Sequence, residues 1–490
     1  MTTGELERET DNSLGDIPMI PGELDKETYR HIIEDYFRAF GTGDFSNVKF
    51  STDIQFLSPI SGITMKGRTD VVNFVSGVST RVSAVNIVST SVDFPTASGV
   101  WQMTTTKGVQ YTLHNFFRLD GEGLVYIWPM FDPKAVINDP PALLQWLRGE
   151  GYYEVVAQTP KQPTGVTISK TGRIFVCFPR WIDYPWPSVG EIAKDGSVTP
   201  YPNVDMNVWD EMPGDSARHH FVCIHTLYTD ADDKLWILDP ASPGQKGVVE
   251  GGAKLIRVNL ASNQVERVYH FDADIAPLKS YLNKLRFCEG YAFITDSNLG
   301  AIVALNLTTG KARRLLENHS STKSEADTTL VIDDVSYSFN PVHVDGIALD
   351  PAHRFIYYKA LTGRTLYRIP VTVLIDESLS SDELGKRVEI VAVTEPTGGI
   401  EFDTNGNLYM TAVEEDAIKL LRPDGSFRFF ARATNFIWPD TIAVSKDGYL
   451  IFTASQLHLM PAHNGGVDKR SAPYNVFRLK LNSGAGNNSA

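Results

Sequence analysis

One phrase recurs six times in the C-terminal two-thirds of the chain: an apolar strand, a tight polar turn, then a second apolar or aromatic strand. The clearest copies run from Gly165 to Val176, Gly346 to Tyr357, Gly399 to Tyr409 and Thr441 to Phe452. Weaker copies start near Leu227 and Leu285, so the starts are 62, 58, 61, 53 and 42 residues apart. A period in this range with several strands per unit predicts propeller blades. A single blade cannot bury both its faces, so neighbours must pack around a common axis. Loops at the blade starts then converge on a central funnel. The repeat therefore predicts both an architecture and an address for a ligand.

The charge balance, 45 − 59 = −14, gives an acidic surface. Such a surface repels phosphate backbones, so nucleic acid and anionic membrane are not expected as partners. No apolar stretch approaches the ~20 residues of a membrane span. The polar, acidic start has neither the basic nor the apolar region of a signal peptide. Cys177, Cys223 and Cys288 are odd in number and dispersed, and they predict three free, buried thiols. Together these features predict a cytoplasmic protein.

Composition and periodicity divide the chain into a flexible tail (1–24), an α+β unit (25–135), a linker (136–151), the propeller (152–481) and a disordered tail (482–490). In the α+β unit, Tyr29, Ile32, Ile33, Tyr36, Phe37 and Phe40 recur at helical spacing. Asp25 or Thr28 suits its cap, and Gly41 and Gly43 suit its stop. A second helix is expected from Gly67 to Val78. Strands are expected over Asp53–Leu57, Val85–Phe94, Ser98–Thr106, Tyr111–Leu119 and Leu124–Pro129, the last two joined by the turn Asp120–Gly123.

The first helix with its Tyr36–Phe40 run, the Gly67–Asp70 opening of the second and the closing stretch Phe117–Asp132 resemble the SnoaL-like domain of the nuclear-transport-factor-two superfamily. That resemblance implies a cone with a carboxylate or histidine inside as acid/base, or alternatively a dimerisation module. Asp53, Trp101, His114, Tyr126, Trp128 and Asp132 are the inward candidates, His114 and Asp132 being the alternative catalytic pair. A homodimer through the cone is a further expectation. The blades, through Arg173–Trp181, Pro187–Val189, Pro200–Pro202, Gly346–Asp350, Leu366–Pro370, Trp438–Asp440 and Asp447–Leu450, resemble the major royal jelly protein and Yellow family. The resemblance implies six blades, and a family of both binding proteins and enzymes. The fold class expected is mainly β: a six-bladed propeller preceded by a smaller SnoaL-like cone.

Metal chemistry is weakly supplied. Calcium-dependent lactonases on six-bladed propellers use Glu, Asn and Asp at inner-strand starts, and calcium takes about six to eight oxygens. Asn283, Asp345 and Asp440 lie near blade starts, but the first blade offers Gln162–Gly165 with no carboxylate, so no metal is expected. His219, His220 and His225 form the densest histidine group without zinc spacing. They read either as buried or loop histidines or as a proton donor or acceptor in the funnel. There is no G-x-S-x-G and no nucleotide or redox fingerprint, so no cofactor is expected.

The segment Phe178–Pro187 gathers aromatics and prolines with Arg180 and Asp183. Prolines stiffen a loop and lower the entropy cost of presenting rings to a ligand. The alternative is that Arg180 and Trp181 are a packing motif. On the functional reading, Arg180, His343 and His225 are the candidate catalytic groups. Trp181, Asp183, Tyr184, Trp186, Asp345, Trp438 and Asp440 are the candidate contacts for a hydrophobic, oxygenated small molecule. The expected chemistry is cofactor-independent tailoring of a natural product: cyclisation, isomerisation, dehydration or a hetero-Diels–Alder-type cycloaddition. A calcium-dependent lactonase or esterase and a non-catalytic binding protein are the alternatives.

Overall fold

The computed structural model describes residues 25–57, 64–80, 82–106, 108, 110–130 and 153–481, apart from residues 183, 327, 334, 338, 340 and 434. The expected tails, the linker, Asp132 and Asp183 lie outside the described residues. The chain divides into two compact units, Met1–Leu147 and Arg148–Ala490.

In the first unit, helix α1 (Lys26–Thr42) starts at Asp25, whose carboxylate accepts the Thr28 backbone N–H at 2.9 Å. It runs through Gly41 and ends at Gly43, which takes the left-handed conformation (φ 76°). Its buried face includes the six apolar residues predicted from their spacing. Helix α2 spans Arg68–Ser79. Strands β1 (Phe50–Leu57), β2 (Thr64–Lys66), β3 (Val82–Asp93), β4 (Thr96–Thr105), β5 (Gln110–Leu119) and β6 (Leu124–Met130) form one sheet in the order β2-β1-β6-β5-β4-β3. All neighbours are antiparallel except β1 and β6. Phe37 stacks on Trp101 at 5.1 Å, and the buried Trp101 indole N–H donates to Asn115 Oδ1 at 2.9 Å.

The alternation in β5 turns Tyr111, Asn115, Phe117 and Leu119 inward, which puts His114 on the exposed face. Asp53 is exposed, and so is Trp128. The inward placement expected of these three is therefore corrected: one step of strand register separates His114 from the core.

Among the described residues the second unit contains six four-stranded antiparallel sheets. Their inner strands are Val166–Ile168, Thr226–Thr229, Leu282–Cys288, Val344–Leu349, Thr397–Phe402 and Pro439–Val444, for blades 1 to 6. Each inner strand lies against those of its neighbours, and blade 6 returns to blade 1. Blade 6 takes its outer strand from the other end of the domain: β7 (Tyr153–Thr159) pairs with Tyr474–Lys480. This closes the ring.

Turn chemistry accounts for the repeat. After the inner strand of blade 4, Asp350 Oδ1 accepts the N–H groups of Arg354 and Phe355 at 2.6 Å. In blade 5, Asp403 Oδ1 does the same for Asn405 and Asn407 at 2.9 Å, with Gly406 at φ 82°. Such Asx turns fix two strands in register. Between blades 3 and 4 an insertion carries a hairpin, Leu330–Ile332 with Val335–Tyr337. Its Leu330, Ile332 and Tyr337 bury against Leu361, Val413 and Trp438.

Gly399 marks a close approach of blades 5 and 6. A Cβ there would lie 2.4 Å from the Asp440 carbonyl oxygen. Gly399→Ala is expected to lower stability by on the order of 1–3 kcal/mol, read as a lower urea midpoint with unchanged slope. An unchanged midpoint would show that blades 5 and 6 are free to separate there.

Candidate active site on the propeller axis

Blades 3, 4 and 6 send polar side chains to the axis from the starts of their inner strands. The Lys284 ammonium lies 2.6 Å from Asp345 Oδ1 and 3.7 Å from Asp440 Oδ1. It also donates to Asn283 Oδ1 at 3.3 Å. Asn283 Nδ2 donates to Asp345 Oδ2 and to Ser297 Oγ, both at 3.0 Å. All five residues are buried. Blade 5 places Gly398 and Gly399 here and adds no side chain, and in blade 1 the Thr164 hydroxyl donates to His225 O at 2.9 Å.

Burial raises both carboxyl groups, against the pull of Lys284. Asp440, pushed further by Asp345, rises from 3.8 to about 6. An acid tuned this way can take or give a proton near neutrality.

Beside the cluster stands His225, 4 % exposed, with the Asn283 side chain as its polar neighbour. Its ring lies 5.5 Å from Trp181 and edge-on to Tyr281 at 5.3 Å. The Trp181 indole N–H donates to the Tyr281 hydroxyl at 2.8 Å. Burial, then the Lys284 charge, hold His225 well below its ordinary 6.5, so it is neutral at pH 7. Cys177, Cys223 and Cys288 are unpaired. Burial raises all three, Cys177 to about 12, which suits structural thiols rather than nucleophiles.

Of the residues proposed from sequence, the fold brings together Trp181, His225, Asp345 and Asp440. Others go elsewhere. Arg180 is buried, donates to Asn207 O at 3.4 Å and lies over the Trp209 ring at 5.8 Å, the packing alternative for this residue. Tyr184 and Trp186 are exposed. His343 accepts the Ser324 N–H at 2.9 Å through Nδ1 and so anchors the insertion between blades 3 and 4. Trp438 is fully buried beneath Phe339 and His458 and offers no free face.

Sequence reasoning missed Lys284 and Tyr281. The signal for Lys284 was available: a lysine and an arginine, Lys284 and Arg286, inside a buried inner strand demand buried partners. The expectation that open space lies at the blade starts also needs correction. A cavity of about 220 Å³ opens at the opposite ends of the inner strands and is lined by Thr226, Lys284, Arg286, Glu401 and Thr441, among others.

These oxygens do not fit a calcium ion as they stand. Asp345 gives one oxygen to the Asn283 amide and the other to the Lys284 ammonium. The position between the carboxylates is filled by a cation that belongs to the chain. Among the described residues no cluster of three or more His, Cys, Asp or Glu could hold a metal.

The chain belongs to the major royal jelly protein family, whose model matches residues 222–487. Residues 24–152 match a separate domain family of unknown function, DUF4904. No curated protein matches the chain. Among solved structures, a catalytically inactive virginiamycin B lyase from Staphylococcus aureus with quinupristin is 15 % identical, with 68 % of this chain and 100 % of that one covered at a TM-score of 0.39. A gluconolactonase from Xanthomonas campestris is 11 % identical, covering 68 % and 90 %, at 0.41. A PQQ-bound aldose sugar dehydrogenase from Streptomyces coelicolor is 11 % identical, covering 68 % and 98 %, at 0.37. No helix among the described residues is long and apolar enough to cross a membrane.

The raised Asp440 has a signature in stability. Between 3.8 and about 6 the folded chain keeps a proton that the unfolded chain has released. Stability therefore falls as pH rises through that window and levels off above it. A gap of about two units corresponds to about 3 kcal/mol. Asp440→Asn is expected to remove this limb, measured as the difference between wild-type and variant urea midpoints from pH 4 to 7. A difference independent of pH would show that Asp440 titrates normally.

Proposed function

We propose that this protein is a cofactor-independent tailoring enzyme acting on a hydrophobic, oxygenated small molecule at the propeller axis, around Lys284. The observation that carries this reading is His225: a buried, neutral imidazole set against an aromatic wall and next to the Lys284 charge and the Asn283 amide. Trp181 and Tyr281 supply the apolar face. Lys284 and His225 are placed to polarise a carbonyl or quinone-like oxygen, and Asp440 to move a proton. Held in that setting, a flexible substrate gains mainly from orientation, on the order of 7–11 kcal/mol at best.

Cyclisation, isomerisation, dehydration and hetero-Diels–Alder-type cycloaddition all fit such a site. The lactonase reading is less well supported, because it needs Asn283, Asp345 and Asp440 to hold calcium where Lys284 stands. The first unit we read as a SnoaL-like domain, supported by two helices and a six-stranded sheet, with no acid/base pair of its own among the described inward residues.

The test is a panel of hydrophobic enones, quinone methides with alkene partners, and lactones. Products are analysed on a chiral column, with and without EDTA. Enantiomeric excess or rate acceleration that survives EDTA is expected. Trp181→Ala should weaken binding by a few kcal/mol at most, while Lys284→Met and Asp440→Asn should lower kcat more than they raise KM. Turnover lost with EDTA and restored by calcium would favour the hydrolase, and racemic products at background rate throughout would favour a binding protein.

A further inference from the structure

We infer that the Lys284 ammonium stands in for a divalent cation, and that Asn283, Asp345 and Asp440 form a calcium-type site once that ammonium is removed. The inference rests on the axial geometry alone and not on the reaction proposed above. Oxygens from three different blades already converge on one cationic nitrogen, at 2.6, 3.3 and 3.7 Å. The side chains that supply them are buried. They are amide and carboxylate oxygens, the hard donors that calcium prefers.

Charge points the same way. Two carboxylates and one ammonium sum to −2 + 1 = −1, whereas a divalent ion in place of the ammonium gives −2 + 2 = 0. With Lys284 gone and nothing in its place, the carboxylates face each other in a buried site. They must then take up a proton or a cation.

A second observation supplies the remaining ligands. The cavity at the far ends of the inner strands reaches Lys284, and it has room for water. Thr226 and Thr441, 2 % and 6 % exposed, line it with hydroxyls that have no hydrogen-bond partner. Calcium sites are commonly completed by water, and this cavity is the route by which ion and water would enter.

The experiment titrates EDTA-stripped wild type, Lys284→Ala, Lys284→Arg and the double variant Lys284→Ala/Asp345→Asn with calcium. Thermal unfolding and calorimetry are the readouts, and magnesium and sodium are the comparators. Lys284→Ala is expected to gain a saturable rise in Tm of several degrees, with calcium binding roughly tenfold or more tighter than in wild type. Lys284→Arg, which keeps the charge, and the double variant, which loses a carboxylate, should show none. If Lys284→Ala is soluble only when calcium is present and unfolds on chelation, that supports the inference too. Should it fail to fold under either condition, Lys284→Gln, which keeps most of the volume, is titrated in its place. Absence of a calcium response in the folded variant overturns the inference. So does saturable calcium binding by wild type that Asp345→Asn abolishes, because the ammonium would then not be the resident cation.

Discussion

A single ammonium group organises the axis of this propeller. Taking Lys284 out of water costs several kcal/mol, and only carboxylates brought within a few ångströms can offset that cost. Asp345 and Asp440 do so from blades 4 and 6, while Lys284 itself comes from blade 3. Each carboxylate alone would be as expensive to bury as the lysine. The three groups are therefore stable only together, and together they require the ring to be closed. Much of the local sequence follows from this: the glycines of blade 5 that leave room, the Asn283 amide that holds Asp345, and the neutrality of His225 beside a fixed positive charge.

The same arrangement limits the chemistry on offer. A charged pair that is fully engaged is a poor nucleophile and a poor metal site, but it makes a rigid, polarising floor. The group left with freedom is Asp440, farther from the ammonium than Asp345 and titrating near neutrality. Trp181 and Tyr281 flank His225 as an aromatic wall, and the indole–hydroxyl bond between them fixes the orientation of that wall.

The blades were legible in the sequence because strand alternation and Asx turns are local, and local rules repeat. The helix from Lys26 to Thr42 was legible for the same reason. The site was legible only in part. Asn283, Asp345 and Asp440 could be placed near the axis by counting from blade starts, but their partner could not. A lysine one residue beyond an asparagine becomes central only when strands 61 residues apart are brought together. The Phe178–Pro187 loop misled for the opposite reason. Its composition suits a ligand, yet composition does not say which ring turns inward, and of its tryptophans only Trp181 does. In β5, a correct alternation with the wrong face taken as inner put His114 inside, since an exposed aromatic such as Trp128 looks like core in a one-dimensional pattern.

The clasp between β7 and the strand Tyr474–Lys480 has a consequence for how the protein is made. Thr159 and Tyr474 bond to each other, yet 315 residues separate them along the chain. At about 5–20 residues per second, the first strand of the ring leaves the ribosome on the order of 15–60 s before its partner. During that interval its edge is unpaired, and an unpaired edge is a template for the wrong neighbour. Blades 1 to 5 have all their strands well before blade 6 does. Lys284 and Asp345, already synthesised, then await the Asp440 that completes them. Blade 6 thus brings both Asp440, which completes the axial cluster, and the strand that closes the ring.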